Sequence, residues 1–167
     1  MAQRACAAFA SRLVAEALPT LLLRALQGFG GYDAIGLLNE LDRVLIEFSE
    51  KLRAHGEQRL HRSGMGTTLV LVLFHGPWTL LASVGDSRAY LDMAEQLLPE
   101  PRALSVRSGD GILLCSDGLT DMLHDTTIGS LLSIHDDPAN ACSALIASAN
   151  DAGGKDNITA LVLDLLE

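Results

Sequence analysis

An apolar run without a polar break, Ile112-Leu113-Leu114-Cys115, ends abruptly at Ser116-Asp117-Gly118. A run of this length, aliphatic and bounded by turn residues, reads as a buried strand. A second apolar segment, Ile158 to Leu165, starts directly after Gly153-Gly154-Lys155-Asp156-Asn157. Both segments set a carboxylate at the mouth of a buried strand. That position is poor for stability and well suited to a hard cation. A third aspartate stands in Gly85-Asp86-Ser87-Arg88, so the pattern points to a metal-dependent hydrolytic centre.

Around these motifs the periodicity alternates between helical and strand-like. Residues Gln3 to Ala25 are rich in Ala and Leu, with Phe9, Leu13, Ala17, Leu21 and Leu22 at helical spacing. Pro19 is expected to kink or divide this helix, and Gly28, Gly30 and Gly31 to end it. A second helix is predicted over Ile35 to Ala54, with Leu38, Leu41, Leu45, Phe48 and Leu52 on one face. From Gly66 the pattern becomes strand-like. Thr67 to Phe74 and Trp78 to Val84, joined by His75-Gly76-Pro77, read as a hairpin, and Ser87 to Asp92 as a third strand. Met93 to Pro101 reads as a loop and Arg102 to Val106 as strand. Helices are expected at Asp117 to Leu123, Thr126 to Ser133 and Pro138 to Asp151, the last with Asp137 as N-cap and Pro138 at its first position. Helices, then strands, then helices and a closing strand indicate α+β layers with mainly antiparallel pairing.

The 167 residues are expected to form one domain. A net charge of −9 argues against binding to nucleic acid or to an anionic membrane. No uninterrupted apolar stretch exceeds the length of Leu69 to Phe74, which is too short to span a bilayer, and no signal-peptide pattern opens the chain. Cys6, Cys115 and Cys142 have no metal-type spacing and read as reduced thiols, so the expected location is the cytoplasm. The five histidines form neither an HxH nor an HExxH pattern, which speaks against zinc.

Taken singly, each aspartate also has a local structural role. Asp117 suits an N-cap, Asp156 a turn behind two glycines, and Asp86 an ion pair with Arg88. Asp121 follows Asp117 by one helical turn, which sets both carboxylates on one side of a helix. Two such charges repel unless a cation lies between them. Mg²⁺ or Mn²⁺ needs few direct carboxylates and keeps several waters, so the set carries more weight than its members.

Four motifs now stand in order: Gly64-Met65-Gly66-Thr67-Thr68-Leu69, Gly85-Asp86-Ser87-Arg88-Ala89-Tyr90, Leu114-Cys115-Ser116-Asp117-Gly118-Leu119-Thr120-Asp121 and Gly153-Gly154-Lys155-Asp156-Asn157-Ile158-Thr159. In this order they resemble the metal-dependent protein serine/threonine phosphatases of the PP2C (PPM) family, bacterial branch. The resemblance implies an α+β fold, a β-sandwich of mainly antiparallel strands flanked by helix pairs. It implies hydrolysis of phosphoserine or phosphothreonine in a phosphoprotein substrate, with Mn²⁺ or Mg²⁺ as cofactor and metal-bound water, rather than a side chain, as the nucleophile. Asp117 and Asp156 resemble the ligands of the first metal. Asp86 and Asp121, together with Asp117, resemble the ligands of an additional third-metal site.

The same resemblance makes residues 1–167 an incomplete domain. The family's opening Arg and Glu-Asp strand motif and its Asp-Gly-Met-Gly-Gly motif have no counterpart here. With them go the phosphate-contacting Arg, the Asp that bridges two metals and the first strands of the sandwich. The region between Tyr90 and Gly109 is also short. Asp110 and Asp151 are candidates to replace the bridging carboxylate. The alternative is a catalytically impaired, PP2C-like pseudophosphatase that acts as a binding or regulatory module. A homo-oligomer or a partner would then cover the exposed sheet edge.

Overall fold

Two helices open the fold, because apolar residues four apart in each make a stripe that must be buried. The computed structural model describes residues 2–29, 33–58, 66–91, 95–97 and 102–166. Helix α1 (Ala2–Gln27) buries Ala10, Val14, Leu18, Leu22 and Leu26. Helix α2 (Ala34–Glu57) buries Leu37, Leu41 and Val44 against it, and the Asp33 carboxylate caps its first turn by accepting from the Ile35 and Gly36 amides. Both helices pack on a three-stranded sheet of order β1-β2-β5: β1 (Leu69–His75), β2 (Trp78–Val84) and β5 (Arg102–Leu104).

A second sheet has the order β4-β3-β6-β7: β3 (Arg88–Leu91), β4 (Glu95–Leu97), β6 (Gly111–Cys115) and β7 (Ala160–Asp164). Every residue of β6 is buried. Its outer face meets α4 (Asp125–Ser133) and α5 (Pro138–Asp151) through a core that holds Leu113, Cys115, Ile128 and Leu145. Its inner residues Ile112 and Leu114 join Leu81 and Ala89 between the sheets. The layers therefore run helix pair, sheet, sheet, helix pair, with all strand pairs antiparallel. The expected α+β sandwich with flanking helix pairs is what forms.

Several local expectations need correction. Pro19 does not divide α1; it sits exposed within one helix, and the buried stripe runs one position beyond the Phe9, Leu13, Ala17 set. Ala and Leu occupy several faces of that segment, so its periodicity alone leaves the rotation open. The presumed loop after Asp92 contains β4, paired with β3 in the register Ala89 with Leu97. The helix after Ser116 is a single turn, α3 (Asp117–Thr120), and the closing strand starts at Ala160. Gly30, Gly31, Gly64, Met65, His61 and the remainder of 93–101 lie outside the described residues, as does the Cys6 side chain.

Tyr90, only 3% exposed, ties the second sheet to α4. Its hydroxyl donates to the Asp125 carboxylate at 2.8 Å, and Arg88 Nη1 lies 3.7 Å from the same carboxylate. Burial, then the Asp125 contact, pushes the phenol up to about 12. The folded chain favours the neutral phenol, so its contribution is complete below pH 10 and is lost as pH climbs through 12. In urea unfolding, Tyr90→Phe is expected to cost about 1 kcal/mol near neutrality. It should also flatten the alkaline loss of stability that the parent protein shows.

Candidate metal centre

The three aspartate motifs meet at one end of the sandwich because β6 is the middle strand between β3 and β7. Arg88 pairs with Cys115, and Cys115 with Ala160. Continued by two residues, the first register sets Asp86 across from Asp117. Continued by one, the second sets Ser116 across from Thr159, and there a seam of hydrogen bonds extends the ladder. The Ser116 amide donates to the Thr159 carbonyl at 3.1 Å. The Thr159 amide donates to Ser116 Oγ at 3.0 Å, and that hydroxyl donates onward to the Asn157 carbonyl at 3.2 Å.

Gly118 permits the closest approach. A β-carbon there would overlap the carbonyl oxygen of Asn157, so only glycine lets the α3 turn lie against the 156–158 segment. The other loop is set by a helix stop. Gly153 and Gly154, both with positive φ, close α5 in a Schellman arrangement: the Gly154 amide donates to Ala149 at 3.1 Å and the Gly153 amide to Asn150 at 3.0 Å. The chain then turns directly into Lys155 and Asp156.

The half-buried Asp117 accepts from the Gly118 amide at 2.8 Å, and the exposed Asp156 from the Asn157 amide at 2.7 Å. Among the described residues, each carboxylate's second oxygen has no protein donor. Asp121 caps the end of α3 and Asp86 lies in the β2–β3 turn; both are exposed. The donors are of the right kind for Mn²⁺ or Mg²⁺, being carboxylate oxygens. They are few: among the described residues no three His, Cys, Asp or Glu side chains come together as a metal cage. Asp110 does not make up the number. Its carboxylate accepts from the Arg107 amide in the turn that opens β6, at the strand end opposite Asp117.

Beside the aspartates, α1, β1, β6 and β7 border a half-open cavity of about 740 Å³. It is apolar along α1 and β1 and polar at the site end, where Thr67, Thr68, Ser87, Ser116 and Thr159 line it. Five successive residues of β1, Leu69 to Leu73, face this space, because among the described residues β1 and β7 are each paired on one side only. Cys115, which also borders it, is not a nucleophile near neutrality: burial pushes its thiol up to about 11.

Sequence reasoning found the aspartates and missed what holds them. Ser116 stood within a quoted motif, but its hydroxyl bridge to residues 41 and 43 positions away had no local signal. Lys155 stands in the fourth motif, where only the neighbouring aspartate signals metal chemistry.

No family model matches the chain. The serine/threonine phosphatase Stp of Listeria innocua is 28% identical over 167 residues, taking in 74% of this chain and 66% of Stp. The serine/threonine protein phosphatase PstP of Mycobacterium tuberculosis is 33% identical over 173 residues, 78% of this chain and 34% of PstP. A crystal structure of the M. tuberculosis PstP superposes with a TM-score of 0.68 at 31% identity, covering 89% of this chain and 81% of that one. The PstP catalytic domain in complex with two manganese ions matches with a TM-score of 0.68 at 30% identity, covering 89% of this chain and 80% of that one. The chain belongs to the PP2C family of serine/threonine phosphatases. It spans about two thirds of the Listeria relative and about a third of the mycobacterial one.

Gly118 provides a direct test of the seam. Gly118→Ala is expected to lower the unfolding free energy by about 1–3 kcal/mol, since backbone must move to admit the methyl group. Mn²⁺ should also raise the melting temperature of that variant less than it raises the parent's.

Proposed function

We propose that this chain is a single PP2C-like domain that hydrolyses phosphoserine and phosphothreonine in proteins with the help of Mn²⁺ or Mg²⁺. The observation that carries the reading is the seam of Ser116 and Gly118 with Asn157 and Thr159, which brings the Asp117 and Asp156 loops together in a chain of this family. In this reading Asp117 and Asp156 hold the first metal, and Asp86 and Asp121, with Asp117, hold an additional one. A bound divalent cation supplies acidification of a water as nucleophile and neutralisation of phosphate oxygens. The chain's residues supply position and charge. The seam fixes the two loops against each other, and the single-turn helix α3 keeps Asp121 beside Asp117. Protonated at neutral pH, Cys115 takes no part.

A second reading is favoured by the cavity: a catalytically impaired pseudophosphatase that binds a partner or another copy of itself. The half-paired β1 and β7 edges and the apolar space between them suit an added strand. Under either reading the protein acts on or beside phosphoproteins, with the cytoplasm as the proposed location on the reduced state expected of its cysteines.

Release of phosphate from a phosphothreonine peptide, with Mn²⁺ present or chelated, separates the two readings. The phosphatase reading expects Mn²⁺-dependent turnover that falls by at least about a hundredfold in Asp117→Asn. Absence of turnover in folded protein at saturating Mn²⁺ supports the binding module instead.

A further inference from the structure

A phosphate monoester carries about two negative charges, and the end of the sandwich it must approach carries Asp86, Asp117, Asp121 and Asp156. Metal ions offset part of that repulsion, but a substrate also needs a group that meets it directly. Among the described side chains, Arg24 lies in the last turn of α1 and Arg102 in β5, and the other cations elsewhere are engaged or distant. Arg12, Arg43, Lys51 and Arg53 pair with glutamates along α1 and α2, and Arg88 faces Asp125. Arg107 lies in the turn at the opposite end of β6.

Lys155 differs from all of these. It is exposed, it directly precedes Asp156, and among the described residues its ammonium group makes no ion pair or hydrogen bond. It lines a half-open polar cavity of about 640 Å³ together with Gly154, Asp156, Asn157 and Ala7 of α1. The backbone that carries it is held on one side by the Schellman closure of α5 and on the other by the bond from Ser116 to the Asn157 carbonyl. The ammonium group thus swings on a flexible stem from a fixed anchor, beside the residue that the phosphatase reading gives to the first metal.

We infer that Lys155 is the phosphate-recognising cation of this site. Resting on the phosphatase reading, the inference names the group that receives the substrate's phosphoryl oxygens. An ammonium offers three rotatable donors and a compact charge, which suits a tetrahedral dianion approaching from solvent. Lys155 binds and orients the phosphoryl group in the polar cavity and exchanges no proton with it.

Inorganic phosphate, titrated into the full chain in the presence of Mg²⁺ and followed by the NMR amide shifts of Gly153, Gly154 and Asn157, tests this without turnover. The expected result is saturable shifts in the parent and in Lys155→Arg, with the dissociation constant raised about tenfold or more in Lys155→Gln. Equal dissociation constants in parent and Lys155→Gln, or no saturable shift in the parent, overturn the assignment. Turnover on a phosphothreonine peptide is read separately. Lys155-dependent phosphate binding without turnover in any protein contradicts the phosphatase reading alone. Turnover whose KM is the same in parent and Lys155→Gln contradicts the role of Lys155 alone.

Discussion

The arrangement at the site depends on one continuation of a strand pair. Strands β6 and β7 could stop pairing at Cys115 and Ala160; instead the Ser116 hydroxyl keeps the chains together beyond that point. It accepts from one backbone group of the opposite segment and donates to another. A serine side chain therefore takes the place of a ladder bond while the main chain turns away into α3. Gly118 completes the contact by leaving no β-carbon in the way. Without this seam, Asp117 and Asp156 would be two unrelated loop residues, 39 positions apart in the sequence.

The seam also explains how the fold tolerates its own acidity. Asp86, Asp117, Asp121 and Asp156 are held by backbone geometry, either in turns or at helix ends, and not by neutralising side chains. Among the described side chains, the positive charge of this region comes from Lys155 on the surface and Arg88 beside Asp125. Like charges gathered in this way lower stability unless a cation joins them. The neighbouring apolar cavity is a second departure from optimal packing. Together the two place the fold's costs at one end of the sandwich, while β6, α4 and α5 form a dense core on the other side of the sheet.

Much of this was legible in the sequence, for reasons that differ by element. Strand β6 announces itself because all of its residues are buried, leaving an unbroken apolar run. Helix α5 carries its start in Asp137-Pro138 and its stop in Gly153-Gly154, and both signals are local. Helix α1 was legible as a helix but not in its rotation, because Ala and Leu surround it and the exposed Pro19 leaves it unbroken. Strand β4 escaped notice because Glu95-Gln96-Leu97 is a short edge with little apolar content. At the site the aspartates were visible as residue types beside strand ends. Their meeting at one end follows from the registers of β3, β6 and β7, which no local pattern encodes. The Ser116 bridge and the pairing of Tyr90 with Asp125 are equally non-local, joining residues 41 to 43 and 35 positions apart.

In the proposed phosphatase reading, the seam makes one cation site out of two loops. Mn²⁺ binding followed by electron paramagnetic resonance, compared among the parent, Asp117→Asn, Asp156→Asn and the double variant, tests it most directly. Saturable binding is expected in the parent, with loss of the first site in each single variant, a deeper loss in Asp117→Asn because Asp117 also serves the additional site, and no loss in the double variant beyond that of Asp117→Asn. Independent, additive losses, or binding unchanged by both substitutions, would contradict it.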